Sequence, residues 1–212
     1  MKLISYILTI IALTIAVMSC PEVYSLIPKE FGAYKWVLCG IGAYLPFAGF
    51  LVASRESIVR VFTHELTHAV AGTLFFRKIV SFNATTTSGV VFHSKGLVGD
   101  IFIALAPYCL PIYTFAFLIL RLLGAESSLF IFDILIGFTL AMHINCFALE
   151  TRPRQTDIKK SGYALAALFL LTAWIVNLSI IALSFPDGIW HSLTSLFHVY
   201  KETVLELFNL MI

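Results

Sequence analysis

His64, Glu65 and His68 stand in the stretch VFTHELTHAVAG, residues 61–72. On a helix, side chains four residues apart project from one face, a turn apart, so both imidazoles can reach the same ion. Two histidine nitrogens at this spacing suit zinc, and Glu65, beside the first of them, is placed to act as general base on a water that the ion activates. Zinc lowers the pKa of such a water towards about 7, which makes hydroxide available at neutral pH for attack on a peptide carbonyl. At this histidine and glutamate content, chance placement yields the pattern in under roughly one chain in a hundred.

The motif supplies two protein ligands, whereas a catalytic zinc usually takes three and a water. Several residues are candidates for the third. Asp157, in QTDI, also reads as a helix-capping residue with Thr156. Asp133 lies in an apolar run where an unpaired carboxylate is costly. His143, ten residues on, suits a ligand, a group supporting a ligand, or a packed polar residue. Asp100 reads most simply as a cap, and His93 as a loop histidine or a group on the substrate side.

These residues sit in a very apolar chain. Of 212 residues, 59% are hydrophobic and 12% charged, and the mean hydropathy is +0.94. Soluble domains carry about 25% charged residues, so the composition predicts an integral membrane protein whose apolar surface is covered by lipid. A net charge of +2 without a basic tract gives no sign of nucleic-acid binding. Cys20, Cys39, Cys109 and Cys146 are scattered, which suits neither a disulfide framework nor a thiolate zinc site.

The elements that must position the motif follow from the apolar runs. With about 20 apolar residues needed per span, six candidates emerge, at 3–18, 33–52, 58–76, 97–123, 129–147 and 162–183. The expected fold is therefore all-α, a single polytopic membrane domain over 1–212 with about six transmembrane helices. The first run, ending VMSC, also resembles a signal sequence, although its length suits a retained helix. The third carries the motif, and ionisable groups at the bilayer centre cost about 2.5–3.5 kcal/mol each on insertion scales. Three of them within five residues call for a function.

Between Lys78 and Lys95, β-branched residues flank Thr-Ser-Gly and predict a β-hairpin turning near Ser88-Gly89. The connection ETRPRQTDIKKS, 150–161, concentrates Arg152, Arg154, Lys159 and Lys160 and is expected to face the cytoplasm, with the motif towards that side. Pro107 and Pro111 should break the fourth run, either to open a path beside the site or to kink the helix for packing. Asn145 and Asn177 are suited to binding substrate backbone or bridging helices. From 187 to 212, Trp190, Leu193, Phe197, Tyr200, Val204 and Leu207 predict an amphipathic helix on the membrane surface or against the bundle. His191 and His198 fall there as interfacial residues.

A zinc motif on an apolar helix, a β-like hairpin after it, and a later Asp near a Pro-containing turn together resemble the site-2 protease family of intramembrane zinc metalloproteases. The resemblance covers about 58–183. It implies a third ligand from a late helix, and the corresponding stretch here runs from Asn145 through Pro153 to Asp157. Asp157 then ranks first, with Asp133 and His143 as reserves, and Asn145 becomes a substrate contact. It further implies one zinc ion, a membrane-spanning protein substrate, and cleavage in or near that span, with the hairpin edge capturing the unwound segment. A second resemblance, to the CAAX-processing and heat-shock membrane proteases, implies a downstream glutamate as third ligand, Glu126 or Glu150. A non-enzymatic metal carrier or scaffold would need His64 and His68 but not Glu65.

Overall fold

The computed structural model describes residues 2–53, 57–96, 99–152, 154–185 and 187–210. Leu97, the expected start of the fourth span, and Pro153, within the stretch compared with the protease family, lie outside them. In chain order the elements are α1 (Lys2–Leu26), α2 (Phe31–Tyr44), α3 (Ile58–Leu74), β1 (Ile79–Ala84), β2 (Gly89–His93), α4 (Asp100–Leu105), α5 (Ile112–Arg121), α6 (Leu129–Glu150), α7 (Thr156–Ser161), α8 (Tyr163–Leu183) and α9 (Ile189–Leu210).

Among the described residues, three helical segments are long and apolar enough to cross a membrane: Leu3–Leu26, Glu126–Glu150 and Tyr163–Leu183. A fourth exists only if α4 and α5, bent by 84°, count as one span. Large apolar side chains such as Leu3, Leu8 and Tyr24 point outward from α1, and the surface is that of a membrane protein. The six expected spans are thus reduced to three or four. Residues 33–52 are apolar, but α2 stops at Tyr44 and continues as a 3-10 turn containing Pro46 and then a π turn. Its 14 residues reach only about 21 Å, short of a hydrocarbon core of about 30 Å. The helix α3 has 17 residues and carries Arg60, His64, Glu65 and His68. The regular α-helix is short in both segments, and in α3 charged and polar side chains also interrupt the apolar run.

The helices α2 and α6 pack in close contact. A Cβ on Gly40 would stand 2.0 Å from the Ile134 carbonyl oxygen, and one on Gly137 would stand 2.0 Å from that of Val37. Small residues of this kind let two backbones touch. Adding a methyl at either position forces the helices apart, because the opposing atom is backbone. Gly40→Ala and Gly137→Ala are expected to lose about 1–3 kcal/mol, read as an earlier thermal transition in detergent. Gly42→Ala, with open space at its Cβ, should leave that transition in place.

Two apolar clusters hold the frame around the motif. Val37, Leu118, Ile136, Leu140, Ile181 and Phe185 join α2, α5, α6 and α8. Leu105, Tyr108, Cys109, Ile158, Ala166 and Leu170 join the broken α4–α5 segment to α7 and α8. Ile158 in the second cluster anchors α7, and with it the neighbouring Asp157. The helix α1 belongs to the bundle: Val23 packs with Leu183, Leu196 and Val199, and Ser19 Oγ lies 2.8 Å from Thr203 Oγ1. As expected α9 packs against the bundle, but its buried stripe is Ile189, Ser192, Leu196, Val199 and Thr203. Trp190, Phe197 and Val204 of the expected apolar stripe face outward.

The hairpin forms as the sequence predicts, antiparallel, with Asn83 opposite Val90 and Ala84 opposite Gly89. Its turn falls slightly earlier, at Thr85–Ser88. There the Thr85 N–H donates to the Ser88 carbonyl at 2.8 Å, and the Ser88 N–H donates back to Thr85 Oγ1 at 3.0 Å. The hairpin lies over α3.

Candidate metal centre

Ser57 starts α3: its hydroxyl accepts the Arg60 N–H at 3.1 Å and donates to the Leu51 carbonyl, as an N-cap should. A turn further on, His64 and His68 emerge from one face. Their Nε2 atoms lie 3.8 and 3.6 Å from Asp157 Oδ2, and one ligand atom from each of the three residues falls within 4.8 Å of the others. Donors about 2.0–2.2 Å from a shared zinc sit roughly 3–4 Å apart, so the arrangement fits one ion. Among the described residues it is the only His, Cys, Asp and Glu group that does. Asp157 reaches it from the first turn of α7, whose N-cap is Gln155, so its carboxylate is aimed at the histidines instead of capping the helix. Burial raises its carboxyl pKa, but hydrogen bonding and charge from His64 and His68 outweigh that and hold it well below the usual range.

The far side of each imidazole is also held. His64 Nδ1 donates to Glu150 Oε2 at 2.9 Å, and Arg60 Nε lies 3.5 Å from the other oxygen of that carboxylate. Arg60 is tied in turn to the Val52 carbonyl at 2.8 Å. His68 Nδ1 donates to the Ile103 carbonyl at 2.8 Å. Because a carboxylate and a carbonyl can only accept, both Nδ1 atoms carry a proton, and both Nε2 atoms are turned to the side where a metal would bind. The Tyr108 hydroxyl, 3.4 Å from Asp157 Oδ2, completes the ring of partners.

Glu65 is buried and lines the same cleft as His64, His68 and Asp157, a space of about 710 Å³ walled on one side by the whole of β2. The start of β2 presses on it: a Cβ on Gly89 would stand 2.3 Å from Glu65 Cγ. His93, at the other end of β2, lodges against Gly72; neither ring nitrogen has a hydrogen-bond partner. Burial, then the nearby His68 and Arg77, lower its pKa. Arg77 itself pairs with Asp100 at 2.6 Å.

The reserve ligands go elsewhere. Asp133 accepts from Arg121 Nε at 2.7 Å, which is how α6 carries a buried carboxylate. His143 is buried beside Trp174, ring centroids 5.4 Å apart. Neither lines the cleft. Asn145, expected to contact substrate, also lies outside it and donates to the Tyr44 hydroxyl at 2.8 Å. Asn177 bridges helices, donating to the Cys109 carbonyl at 2.8 Å. Glu126 sits in a 3-10 turn before α6, and His191 and His198 are on the exposed side of α9.

The sequence offers Glu150 only as a candidate ligand; its place behind His64, and the positions of Arg60 and Tyr108, come from the fold. Its spacing of seven residues from Asp157 carries no helical periodicity, because α6 ends between the two. Comparison of the chain with protein-family models, with curated proteins and with solved structures finds no match.

Proposed function

We propose that the chain is a zinc-dependent endopeptidase of the membrane, similar in its working parts to the site-2 protease family, which hydrolyses a peptide bond in or near the span of a protein substrate. The observation that carries this reading is the convergence of His64, His68 and Asp157 with Glu65 in one cleft walled by a β-strand. Two imidazoles and a carboxylate are a donor set suited to zinc. The position of Glu150 speaks against the CAAX-type reading, since its carboxylate is engaged with the back of His64. A metal carrier has no use for a buried glutamate beside the ligands.

Zinc held there would polarise the substrate carbonyl and acidify the attacking water. Glu65 accepts a proton from that water as its oxygen bonds to the carbonyl carbon. It then delivers the proton to the leaving nitrogen as the C–N bond breaks, giving an acid and an amine. His64 and His68 hold their orientation through Glu150 and the Ile103 carbonyl. A substrate helix must be unwound for its carbonyls to be reached, and β2, lining the cleft, offers an edge on which the extended segment can pair. The ligand Asp157 lies between the candidate spans α6 and α8, in the connection rich in Arg and Lys. By the positive-inside rule the site belongs to the cytoplasmic half of a multi-pass protein.

The reading is tested by reconstituting the purified protein with a panel of single-span reporter proteins and mapping fragments by mass spectrometry. Cleavage should stop with a zinc chelator and return with added zinc. Zinc-loaded protein that cuts none of the panel, under conditions where a control membrane protease does, would overturn it. Within this reading, Gly89→Val drives a side chain into Glu65. A 1 Å displacement at a reacting group can cost about 100-fold, so turnover should fall by at least about tenfold while one zinc per chain remains bound.

A further inference from the structure

Both prolines of the sequence ALAPYCLP interrupt one helix, but they serve different ends. The chain is helical up to Ala106: the Ile103 N–H reaches the Gly99 carbonyl at 2.8 Å, and the Ala106 N–H bonds that of Phe102. The next bond of the series would run from residue 107 to the Ile103 carbonyl. Residue 107 is proline and has no N–H to give, and a proline ring also crowds the carbonyl four residues before it. That oxygen is therefore left without its main-chain partner in a buried setting, where Ile103 and Ala106 pack on Ala71 of α3. A buried carbonyl needs a donor, and the donor it receives is His68 Nδ1 at 2.8 Å.

We infer that Pro107 is a positioning residue of the metal centre: by withholding its N–H it reserves the Ile103 carbonyl for His68, which fixes the tautomer that turns Nε2 towards His64 and Asp157. The inference rests on the reading of His68 as a metal ligand. Pro111 provides the contrast within the same segment. Beside it the carbonyls of Tyr108 and Cys109 accept from Trp174 Nε1 at 3.1 Å and Asn177 Nδ2 at 2.8 Å, both on α8. The Pro111 break is thus tied to helix packing, and the Pro107 break to a ligand.

Zinc affinity is measured by chelator competition in detergent for wild type, Pro107→Ala, Pro111→Ala, and a protein carrying the α-hydroxy analogue of alanine at position 107, which has the alanine side chain but no N–H. Pro107→Ala should bind zinc about 10–100-fold more weakly, the scale for loss of a partner behind a ligand. The hydroxy-acid protein should recover to within about threefold of wild type, and Pro111→Ala should stay within about threefold. Unchanged affinity in Pro107→Ala, or equal losses in Pro107→Ala and the hydroxy-acid protein, would overturn the inference.

A second measurement needs neither a variant at 107 nor metal. In the wild-type apoprotein labelled with ¹⁵N-histidine, the His68 ring, assigned by its disappearance in His68→Gln, should carry its proton on Nδ1. A proton on Nε2 overturns the inference. Failure of wild type to take up zinc overturns the metal centre instead, and the apoprotein tautomer still tests the His68–Ile103 bond on which the Pro107 device depends.

Discussion

Asp157→Ala is expected to strip the centre of its metal, lowering zinc affinity by more than the roughly 10–100-fold typical of a group behind a ligand. Bound zinc in the purified protein should fall from one per chain to a trace. The reason is geometric: Asp157 supplies the only carboxylate oxygen that converges with both Nε2 atoms among the described residues. Without it two neutral imidazoles remain, too few for a catalytic zinc site. Glu150→Gln is the informative partner. Its amide oxygen can still accept from His64 Nδ1, so stoichiometry should persist with an affinity loss of no more than about 100-fold. The reverse order, with zinc lost in Glu150→Gln and kept in Asp157→Ala, would make Glu150 the third ligand and remove the site-2 protease reading. Acidity should act in the same sense. Because the Asp157 carboxyl is held well below its usual range, it is ionised throughout the interval in which imidazoles ordinarily titrate. Its contribution to the folded state is present above the ordinary carboxylate pKa and is lost only as pH falls through the depressed value. Any zinc released on mild acidification is therefore released with Asp157 still ionised.

Glu65→Gln is expected to leave zinc binding near wild type and to abolish cleavage, a loss of at least about 100- to 10,000-fold. Glutamine preserves the volume of a side chain packed beneath Gly89, so the cleft should keep its shape. What disappears is the capacity to accept a proton from water and return it to the leaving amine. Parallel measurement of zinc content and reporter cleavage separates this outcome from misfolding. Wild-type cleavage by Glu65→Gln would sink the proposed mechanism, and a biological function that survives Glu65→Gln but fails in His64→Ala would mark a metal carrier.

Much of the candidate site was legible in the chain because a helix converts spacing directly into geometry. His64 and His68 needed only α3 to share a face, and Glu65 follows from adjacency. Asp157 was nameable through the protease resemblance, though its local pattern reads equally well as a helix cap. Asp133, His143 and Asn145 were plausible for the same reason that they were misplaced: a polar residue in an apolar run needs a partner, but the run does not say which. Arg121, Trp174 and Tyr44 lie 12, 31 and 101 residues from them in sequence. The count of spans exceeded what the fold contains because hydropathy averages over changes of helix type at Pro46, over the 84° break between residues 108 and 112, and over the charged groups of the short α3.

By itself the sequence determined that His64 and His68 share a helix face with Glu65 beside them, the hairpin over 79–93, the helical character of the apolar runs and the break at the two prolines. All are local consequences of side-chain period and of the missing proline N–H. Only the tertiary structure decided which carboxylate meets the two imidazoles, that Glu150 and the Ile103 carbonyl stand behind them, and that Gly89 covers Glu65. Those pairings join residues tens of positions apart through packed clusters such as Leu105, Tyr108 and Ile158. Periodicity specifies the face a residue occupies, and only packing specifies what that face meets.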